Sequence, residues 1–502
     1  MYSVFAHLIL ALSFCIVLFA DFIPSYAGSY ADQRLCLSLL LVALVSLGVF
    51  RVSRPQIKTA ALSDVWPFFP FIFILCLSVF AYPQGEFFLV EPVFYSLYVL
   101  TFGLTGFVIR AQSRSNETAN ALVLIALISC FFYAMITVMV YLFAVTDNFS
   151  QLDQMIPWGF VNIRYWSHIA TWVVPLFPLA LIVLPWSGNR LWRVGVTITA
   201  ALWWWVLLLS SSRGSIIGLL AGAILVWIFF GRAALPWVKL FTRFLIYGLV
   251  AWLLLSVVIP GVVFESVEVR GIKGHSSGRL PLWLEAFSMS LQNFPFGMGP
   301  QSWLTHDVLT DAYQNSKKFA HPHNMYLMWA AEYGWIAIAA LAFLCGVVLK
   351  RLWARIKVVR SGENECAPYL IALTASVTAA VVHGGVSAVF LAPGSMLIGL
   401  CVLSVFWAFV RPETAELNGK QLAFKSTYGR YSGLILTLAM ASASSFWFCE
   451  VLKYRRAMAD DLTYYGQEVS LGQLPRFWLH GYYPRPDGQM PDETLGVLTK
   501  PD

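Results

Sequence analysis

Two arginines and one histidine are the residues of this chain that could perform chemistry together. Arg213 lies in a Ser-Ser-Ser-Arg-Gly-Ser junction between two long apolar runs, where a charge is costly and marks a functional site by default. Arg279 opens an amphipathic stretch, and His323 follows Pro322 just before another apolar run. Guanidinium groups bind phosphate oxygens in a bidentate way, and a histidine can take a proton from a hydroxyl. This set suits the departure of a diphosphate and its replacement by a hydroxyl group.

The histidines of the same region also suggest a metal site, but their spacing disfavours one. No cysteine and few carboxylates accompany His321 and His323, which flank a proline. Structural zinc sites use tighter Cys and His spacing. We therefore expect no metal and no cofactor, and we expect His275 and His306 to be solvated loop side chains. From the residues alone, His321 and His323 are equally good candidates for a general base.

Small residues close to Arg213 predict its surroundings. Gly214, Gly218 and Gly222 recur at four-residue spacing in the apolar run, and such a stripe lets another helix approach closely. The pattern indicates that Arg213 faces the interior of a helix bundle; the alternative is an arginine that extends to the membrane interface. Farther on, the Gly-x-Gly at 297–299 could present backbone N–H groups to an anion, although a simple turn explains the same residues.

Membrane helices must position these residues, because the composition is that of a chain surrounded by lipid. Only 12% of the 502 residues are charged and 59% are hydrophobic, whereas a soluble globular protein carries about 25% charged residues. Apolar runs long enough to span a bilayer recur along the chain. They predict an all-α, polytopic membrane helix bundle of about 12–13 transmembrane helices. The first run has no positive charge before it, so we interpret it as an uncleaved helix and not as a signal peptide.

Basic residues in the short loops orient this bundle. With the N terminus inside, nearly all Lys and Arg residues of the short loops are cytoplasmic, and Arg34, Arg164 and Arg213 are the exceptions. The long segment at about 261–335 then lies on the outer face, where it is too long to be a simple connector. Its aromatic residues predict amphipathic helices that pack on the bundle. The basic residues at 453–456 disagree with this orientation, because they follow the last apolar run on the predicted outer side. If one crossing is miscounted, the C-terminal tail is cytoplasmic.

These motifs, in their order along the chain, resemble the O-antigen ligase and polymerase family of bacterial envelopes. The region of resemblance covers roughly 160–410, and 160–166 is similar to an upstream element of the family. The other matching motifs are Ser-Arg-Gly-Ser at 212–215, Arg279-x-x-x-Trp283-x-x-Ala286, Pro-x-Gly-x-Gly at 295–299, and His321-Pro322-His323-Asn324 followed by Glu332-x-Gly334.

The resemblance implies a metal-independent glycosyltransferase of the bacterial inner membrane, with its active site facing the periplasm. The glycan donor would be a glycan on undecaprenyl diphosphate, with no nucleotide sugar. The resemblance assigns diphosphate binding to Arg213 and Arg279, and activation of the acceptor hydroxyl to His323. Further substrate-binding candidates are Arg164, His321 and Asn324.

The resemblance divides the chain into three parts but leaves the acceptor open. Residues 1–159 would be N-terminal transmembrane helices, 160–410 the catalytic membrane region, and 411–502 the last helix with a short polar tail. We expect the ligase type, with lipid A–core as acceptor. Polymerisation of O-antigen or exopolysaccharide is the alternative, and protein O-glycosylation is a weaker one, since such relatives often carry a larger C-terminal domain.

A transporter or lipid-linked glycan flippase is the competing class of function. Transporters are typically built from repeats with ionisable groups near the middle of the membrane. The sequence has no internal repeat, and its candidate residues gather on one face. This distribution favours an enzyme, whose partners would be lipid-linked glycans and membrane lipid, with no nucleic acid.

Overall fold

The computed structural model of the protein describes residues 2–24, 28–53, 64–82, 87–264, 278–362, 365–411, 427–468 and 474–484. Within these ranges the regular structure is helical, and there is no β-strand. The longer helices are α1 (Tyr2–Leu18), α2 (Ser29–Val52), α3 (Phe69–Ala81), α4 (Val90–Ala111), α5 (Ser115–Thr146), α6 (Ile163–Val173), α7 (Arg190–Leu209), α8 (Arg213–Phe230), α9 (Leu235–Leu253), α10 (Arg279–Gln292), α11 (Met325–Arg360), α12 (Ala367–Gly384), α13 (Pro393–Val410) and α14 (Thr427–Glu468).

The number of apolar helices confirms the predicted membrane bundle. Ten segments of the described chain are long and apolar enough to cross a membrane, and one of them, Arg213–Val263, has 51 residues and contains both α8 and α9. Counting α8 and α9 separately makes eleven. Two shorter apolar helices, Ala6–Leu18 and Trp66–Ala81, bring the candidate crossings in the described ranges to thirteen.

The course of α7 and α9 shows that α8 and α9 are separate crossings. Arg193 of α7 and Arg243 of α9 line one cavity. Farther along both helices, Trp205 Nε1 donates a hydrogen bond to Ser256 Oγ at 2.8 Å. These two helices therefore run side by side in the same direction, and α8 between them runs the opposite way. The chain reverses at Gly231, whose φ of 56° favours glycine.

Helix α8 packs on α12 through the predicted glycine stripe. A Cβ atom on Gly218 would lie 2.5 Å from the Ala379 carbonyl oxygen, and one on Gly222 would meet the Ala375 carbonyl oxygen. The close helix approach is thus confirmed. Arg213 is nevertheless exposed, so the prediction that it faces the bundle interior is wrong. As the first residue of α8, it lies at the end of this helix pair and not between the helices.

The chain between Phe264 and α11, here called the outer loop, packs on one end of the bundle, the loop end. Its described part contains α10 and two short helices, Ser302–Thr305 and Asp311–Gln314. Helix α11 begins at Met325, earlier than the predicted loop boundary at 335. The reason is a kink at Gly334, which separates the first turns of α11 from the rest of that helix. His275 lies outside the described residues.

Helix α10 is amphipathic, as predicted, with two different apolar surfaces. Leu282, Ala286 and Met289 are buried in a small core of the outer loop that also contains Trp303. On its other side the helix exposes an apolar stripe, which is typical of a helix lying at a membrane surface. The exposed residues of this stripe are Leu280, Leu284, Phe287 and Leu291.

His306 holds the outer loop together, and the prediction of a solvated side chain is wrong. Its side chain is 2% exposed, and its Nε2 lies 2.9 Å from Glu285 Oε1. Its Nδ1 lies 3.1 Å from the Ser302 carbonyl oxygen. Burial raises the pKa of Glu285, but hydrogen bonds from His306 and the Leu309 N–H outweigh burial and hold that pKa below its usual value. The pair is therefore a structural contact of the loop.

The Gly-x-Gly segment is a turn that packs on the kink of α11. Gly334 has φ 82° and ψ 170°, which frees carbonyl groups in the preceding turn. The Met298 N–H donates to the Ala331 oxygen at 2.8 Å, and the Gly299 N–H donates to the Glu332 oxygen at 2.9 Å. Both N–H groups are used within the fold, so the turn interpretation is confirmed and the anion-binding one is wrong.

The C-terminal segment, residues 474–484, returns to the loop end of the bundle. Arg476 Nη1 donates a hydrogen bond to the Ala320 carbonyl oxygen at 3.4 Å, and Ala320 directly precedes His321. His480 is buried and contacts Asp461 at 2.6 Å. The C-terminal segment therefore lies on the same face as the outer loop, as the four crossings α11 to α14 between them require.

Candidate functional site

A cavity of about 460 Å³, including its open mouth, lies at the loop end of the bundle. Arg164 and His168 of α6 line it together with His321 and His323 of the outer loop; we call it the histidine cavity. The structure thus brings together Arg164, His321 and His323, three of the candidate site residues from the sequence. Four-residue spacing places Arg164 and His168 on one face of α6, and the turn before α11 places the other two histidines opposite them.

Three arginines begin helices at this end of the bundle. Arg164 lies in the first turn of α6, where Asn162 Oδ1 accepts the Arg164 N–H at 2.9 Å. Arg213 and Arg279 are the first residues of α8 and α10. A helix N-terminus carries a partial positive charge, so a cation there is unfavourable, whereas an anion is stabilised. Cations at three such positions make this region suited to a negatively charged ligand.

The surroundings of Arg279 show how strongly positive the region is. Burial lowers its pKa first, and the charges of Arg164 and Arg213 lower it further, to about 10. Its Nε is buried without a hydrogen-bond partner. Arg279 remains protonated at neutral pH, so three positive charges act on one another. A bound anion would offset this repulsion.

His323 combines an unusual backbone conformation with ring nitrogens that make no hydrogen bond. Its φ is 55°, a left-handed conformation that costs free energy for a residue other than glycine and that recurs at functional sites. Its backbone N–H donates to His321 Nδ1 at 3.2 Å. Both ring nitrogens of His323 are buried without a hydrogen-bond partner. His321 Nδ1 therefore supports the turn, whereas both ring nitrogens of His323 have their hydrogen-bonding capacity unused.

Both histidines are neutral at pH 7. Burial lowers the pKa of His323 well below its usual value, and the charges of His321, Arg164 and Arg279 lower it further. Burial, Arg476, Arg164 and Arg279 together lower the pKa of His321 to about 3. A neutral imidazole can accept a proton. An anion bound beside the arginines would oppose their charges and raise these pKa values, which would make the histidines stronger bases.

Sequence reasoning missed two polar residues of the histidine cavity. His168 lies in an apolar run of the sequence, but its Nε2 lies 2.7 Å from Ser387 Oγ, and both residues line the cavity. The ring of His168 lies 5.0 Å from that of His383, whose Nδ1 contacts Thr171 Oγ1 at 2.9 Å. The spacing of His168 from Arg164 was the signal that could have revealed it.

Asn324 has a structural role at the start of α11. Its Oδ1 accepts hydrogen bonds from the N–H groups of Tyr326 and Leu327, each at 3.1 Å. This is the N-cap arrangement that satisfies the first N–H groups of a helix. The capping explains why an asparagine follows His323; the expected substrate contact of Asn324 stays a prediction.

The residues that the structure describes contain no group of three or more His, Cys, Asp or Glu side chains that could hold a metal ion. Metal independence therefore stays a prediction that a chelator can test.

Comparison with known proteins gives one match. The family model described as O-antigen ligase matches residues 197–342. This region contains Arg213, Arg279, His321 and His323, whereas Arg164 lies before it. No curated protein and no solved structure matches the chain.

Proposed function

Because the family model described as O-antigen ligase matches residues 197–342, we propose that the chain belongs to this family and transfers a glycan from undecaprenyl diphosphate to an acceptor hydroxyl. The family match and the apolar helices support a multi-pass membrane protein with a ligase-like glycosyl-transfer role. We further propose that it lies in the bacterial inner membrane with the loop end in the periplasm. The charge distribution of the short loops supports this orientation.

One observation carries the proposal: three arginines at helix starts lie next to a cavity with two buried, neutral histidines. Arg213 and Arg279 would bind the diphosphate, and Arg164, which lines the histidine cavity, would bridge the diphosphate and the acceptor. Negative charge grows on the diphosphate as its bond to the sugar breaks. Cations fixed in advance stabilise that charge more strongly in the transition state than in the bound donor.

His323 is the proposed general base. The acceptor oxygen attacks the anomeric carbon of the sugar, and its proton passes to a ring nitrogen of His323. The bond from that carbon to the diphosphate oxygen breaks, and undecaprenyl diphosphate leaves with the bonding electrons. His323 then releases the proton to water. No metal or cofactor takes part in this sequence.

Binding of the glycan donor would also activate the base. In the free protein the charges of Arg164 and Arg279 contribute to the low pKa of His323. A bound diphosphate opposes these charges, so the pKa of His323 rises when the glycan donor is present. The base is then strongest when a leaving group is in place, which disfavours wasteful reactions of the acceptor.

The expected acceptor is lipid A–core, as in a ligase, and the test compares acceptors directly. Purified protein is incubated with undecaprenyl-diphosphate glycan plus lipid A–core, and in parallel with the glycan donor alone. Glycosylated lipid A–core supports the ligase type, whereas longer lipid-linked glycans in the parallel reaction indicate a polymerase. If neither product forms, the enzyme proposal fails and transport of a lipid-linked glycan becomes the better hypothesis.

A further inference from the structure

The C-terminal segment contributes to the histidine cavity although it follows the last membrane helix. Leu474 and Pro475 line the cavity with His321 and His323. We propose that the C-terminal segment is a fixed wall of the acceptor site, and that Arg476 is a positioning residue for the turn that carries His323. The identity of the acceptor rests on the proposed function, but the attachment of this wall does not.

Arg476 anchors the segment through a buried cluster of charges. Its side chain is 1% exposed, its Nε and Nη2 each donate to a carboxylate oxygen of Glu91 at 2.9 Å, and its Nη2 donates to Glu332 Oε1 at 2.6 Å. Burial alone would lower the pKa of Arg476, but the two glutamates raise it well above its usual value. Moving the guanidinium group away would leave two buried carboxylates without their cation, which is strongly unfavourable and holds Arg476 in place.

The same guanidinium group reaches the turn that carries the proposed base. Arg476 Nη1 donates to the Ala320 carbonyl oxygen at 3.4 Å, directly before His321. On its other side, Glu332 belongs to α11, which begins just after His323. Arg476 therefore links the residue before this turn to the helix after it, so a shift of its guanidinium group would be transmitted to the turn that carries His323.

Contacts outside this cluster keep the whole segment in place. Tyr30 of α2 donates its hydroxyl to the Arg476 carbonyl oxygen at 2.6 Å, and Arg34 Nε donates to the Phe477 carbonyl oxygen at 2.9 Å. Tyr454 of α14 donates its hydroxyl to the Tyr483 carbonyl oxygen at 2.6 Å. These hydrogen bonds to α2 and α14 make the C-terminal segment an integral part of the fold.

The position of the wall assigns it to the acceptor. His323, which takes the proton of the acceptor hydroxyl in the proposed reaction, lines the same cavity as Leu474. Arg213 and Arg279 do not line this cavity, so the diphosphate that they would bind lies outside it. The C-terminal segment therefore limits which acceptors fit, and changes in its cavity-lining residues alter acceptor binding before they alter binding of the glycan donor.

The first test changes one cavity-lining residue and one matched control. Leu474→Phe places a larger ring at the cavity, whereas Leu479→Phe makes the same change where the segment packs near Gly28. We expect Leu474→Phe to raise the KM for the acceptor about tenfold, as pocket contacts of this size do, with an unchanged KM for the glycan donor. Leu479→Phe keeps both values. Equal acceptor KM values in wild type and both variants would overturn the assignment of the wall to the acceptor.

The second test concerns Arg476 and uses a readout that needs no glycan. A protease site is inserted between Glu468 and Leu474 of the full chain, and the purified protein is cleaved. We expect the C-terminal fragment to remain bound to the wild-type protein and to dissociate from Arg476→Met. Loss of the fragment from the wild-type protein contradicts a fixed wall. Retention in both backgrounds contradicts the anchoring role of Arg476.

The positioning role is tested by Arg476→Lys, which keeps the charge but not the bidentate fork. We expect kcat to fall about 100-fold, the size of effect that a small misplacement of a reacting group can have, while binding of the glycan donor is unchanged. Wild-type kcat in this variant overturns the role. If the wild-type protein itself transfers no glycan, the proposed function fails, and fragment retention still decides whether the wall exists.

Discussion

Arg279 and Arg476 lie at the same end of the bundle in opposite surroundings. Arg476 is buried between two glutamates, which raise its pKa well above its usual value. Arg279 has a buried Nε without a partner, and burial and the charges of Arg164 and Arg213 lower its pKa to about 10. The fold neutralises the first arginine and concentrates positive charge around the second. Arg476 therefore has a structural role, whereas the side chain of Arg279 is suited to binding an anion.

Two histidines of the outer loop repeat this contrast. Both ring nitrogens of His306 contact acceptors, one on Glu285 and one on a backbone carbonyl. Neither ring nitrogen of His323 has a partner. The sequence predicted a solvated His306, which is wrong, and a candidate base at His323. Hydrogen bonding now distinguishes them on physical grounds, because a group whose bonds are already made inside the fold has no capacity left for a substrate.

The largest effect is expected from the histidine with the unpartnered ring. His323→Ala should lower kcat by roughly 100- to 10,000-fold, the usual contribution of a general base. His321→Ala should weaken activity less, since His321 supports the turn through its bond to the His323 N–H. Transfer rates of the purified variants check this, with and without EDTA. Normal turnover of His323→Ala disproves the assignment of the base, and inhibition of the wild type by EDTA disproves metal independence.

The arginines come next in expected effect. Arg213→Lys and Arg279→Lys should each lower the transfer rate by about 100- to 1000-fold, because a lysine lacks the planar fork and each position supplies transition-state charge stabilisation. Lys317→Ala is the matched control, since it removes an exposed cation of the same loop. Rates are compared at equal protein levels. A wild-type transfer rate in Arg213→Ala would show that Arg213 does not stabilise the diphosphate.

Two substitutions of Asn324 can separate its role as a helix cap from its predicted contact with the substrate. Asn324→Ala should lower the free energy of unfolding by about 1 kcal/mol through loss of the helix cap. Asn324→Ser keeps a capping oxygen but lacks the amide, so its stability should remain near that of the wild type. If Asn324 also binds substrate, Asn324→Ser should raise KM by about two- to tenfold, the contribution of one hydrogen bond. Thermal unfolding measures the stability of both variants, and steady-state kinetics measure their KM. A wild-type KM in Asn324→Ser would show that Asn324 only caps the helix.

The smallest expected effect is a loss of stability at acid pH. His321 is held neutral in the folded protein with a pKa of about 3, whereas an unfolded histidine has a pKa of about 6.5. The unfolded chain therefore binds more protons below pH 6.5, and this contribution to stability is lost as pH falls from 6.5 towards 3. Between pH 6.5 and 5.5 the loss is about 1 kcal/mol. His321→Gln should show a smaller decrease of the unfolding temperature over that interval, and an identical decrease contradicts the buried neutral state.

Hydropathy predicted the helices well because spanning depends on the length and apolarity of a local segment. The glycine stripe of α8 was predictable for the same reason. The contacts of Arg476 were not, since its partner Glu91 lies 385 residues away and a polar stretch after the last helix resembles an ordinary tail. The aromatic residues Phe477 and Trp478, both buried, were the signal that this stretch belongs to the fold.

The candidate site was predicted in part. The sequence selected Arg164, His321 and His323, which line one cavity, because their motifs resemble a known family. It did not predict that Arg213 is exposed or that His306 is buried. Burial depends on which helices and loops pack together, and the spacing of residues within one segment does not contain that information.

Binding of the lipid diphosphate tests most directly whether Arg279 serves the glycan donor and His323 serves the acceptor. The dissociation constant of undecaprenyl diphosphate is measured for the wild type, Arg279→Ala, His323→Ala and Lys317→Ala in the same detergent. The account predicts that binding weakens strongly in Arg279→Ala alone and stays at the wild-type level in the other two variants. Equal dissociation constants in all four proteins, or a loss confined to His323→Ala, would contradict it.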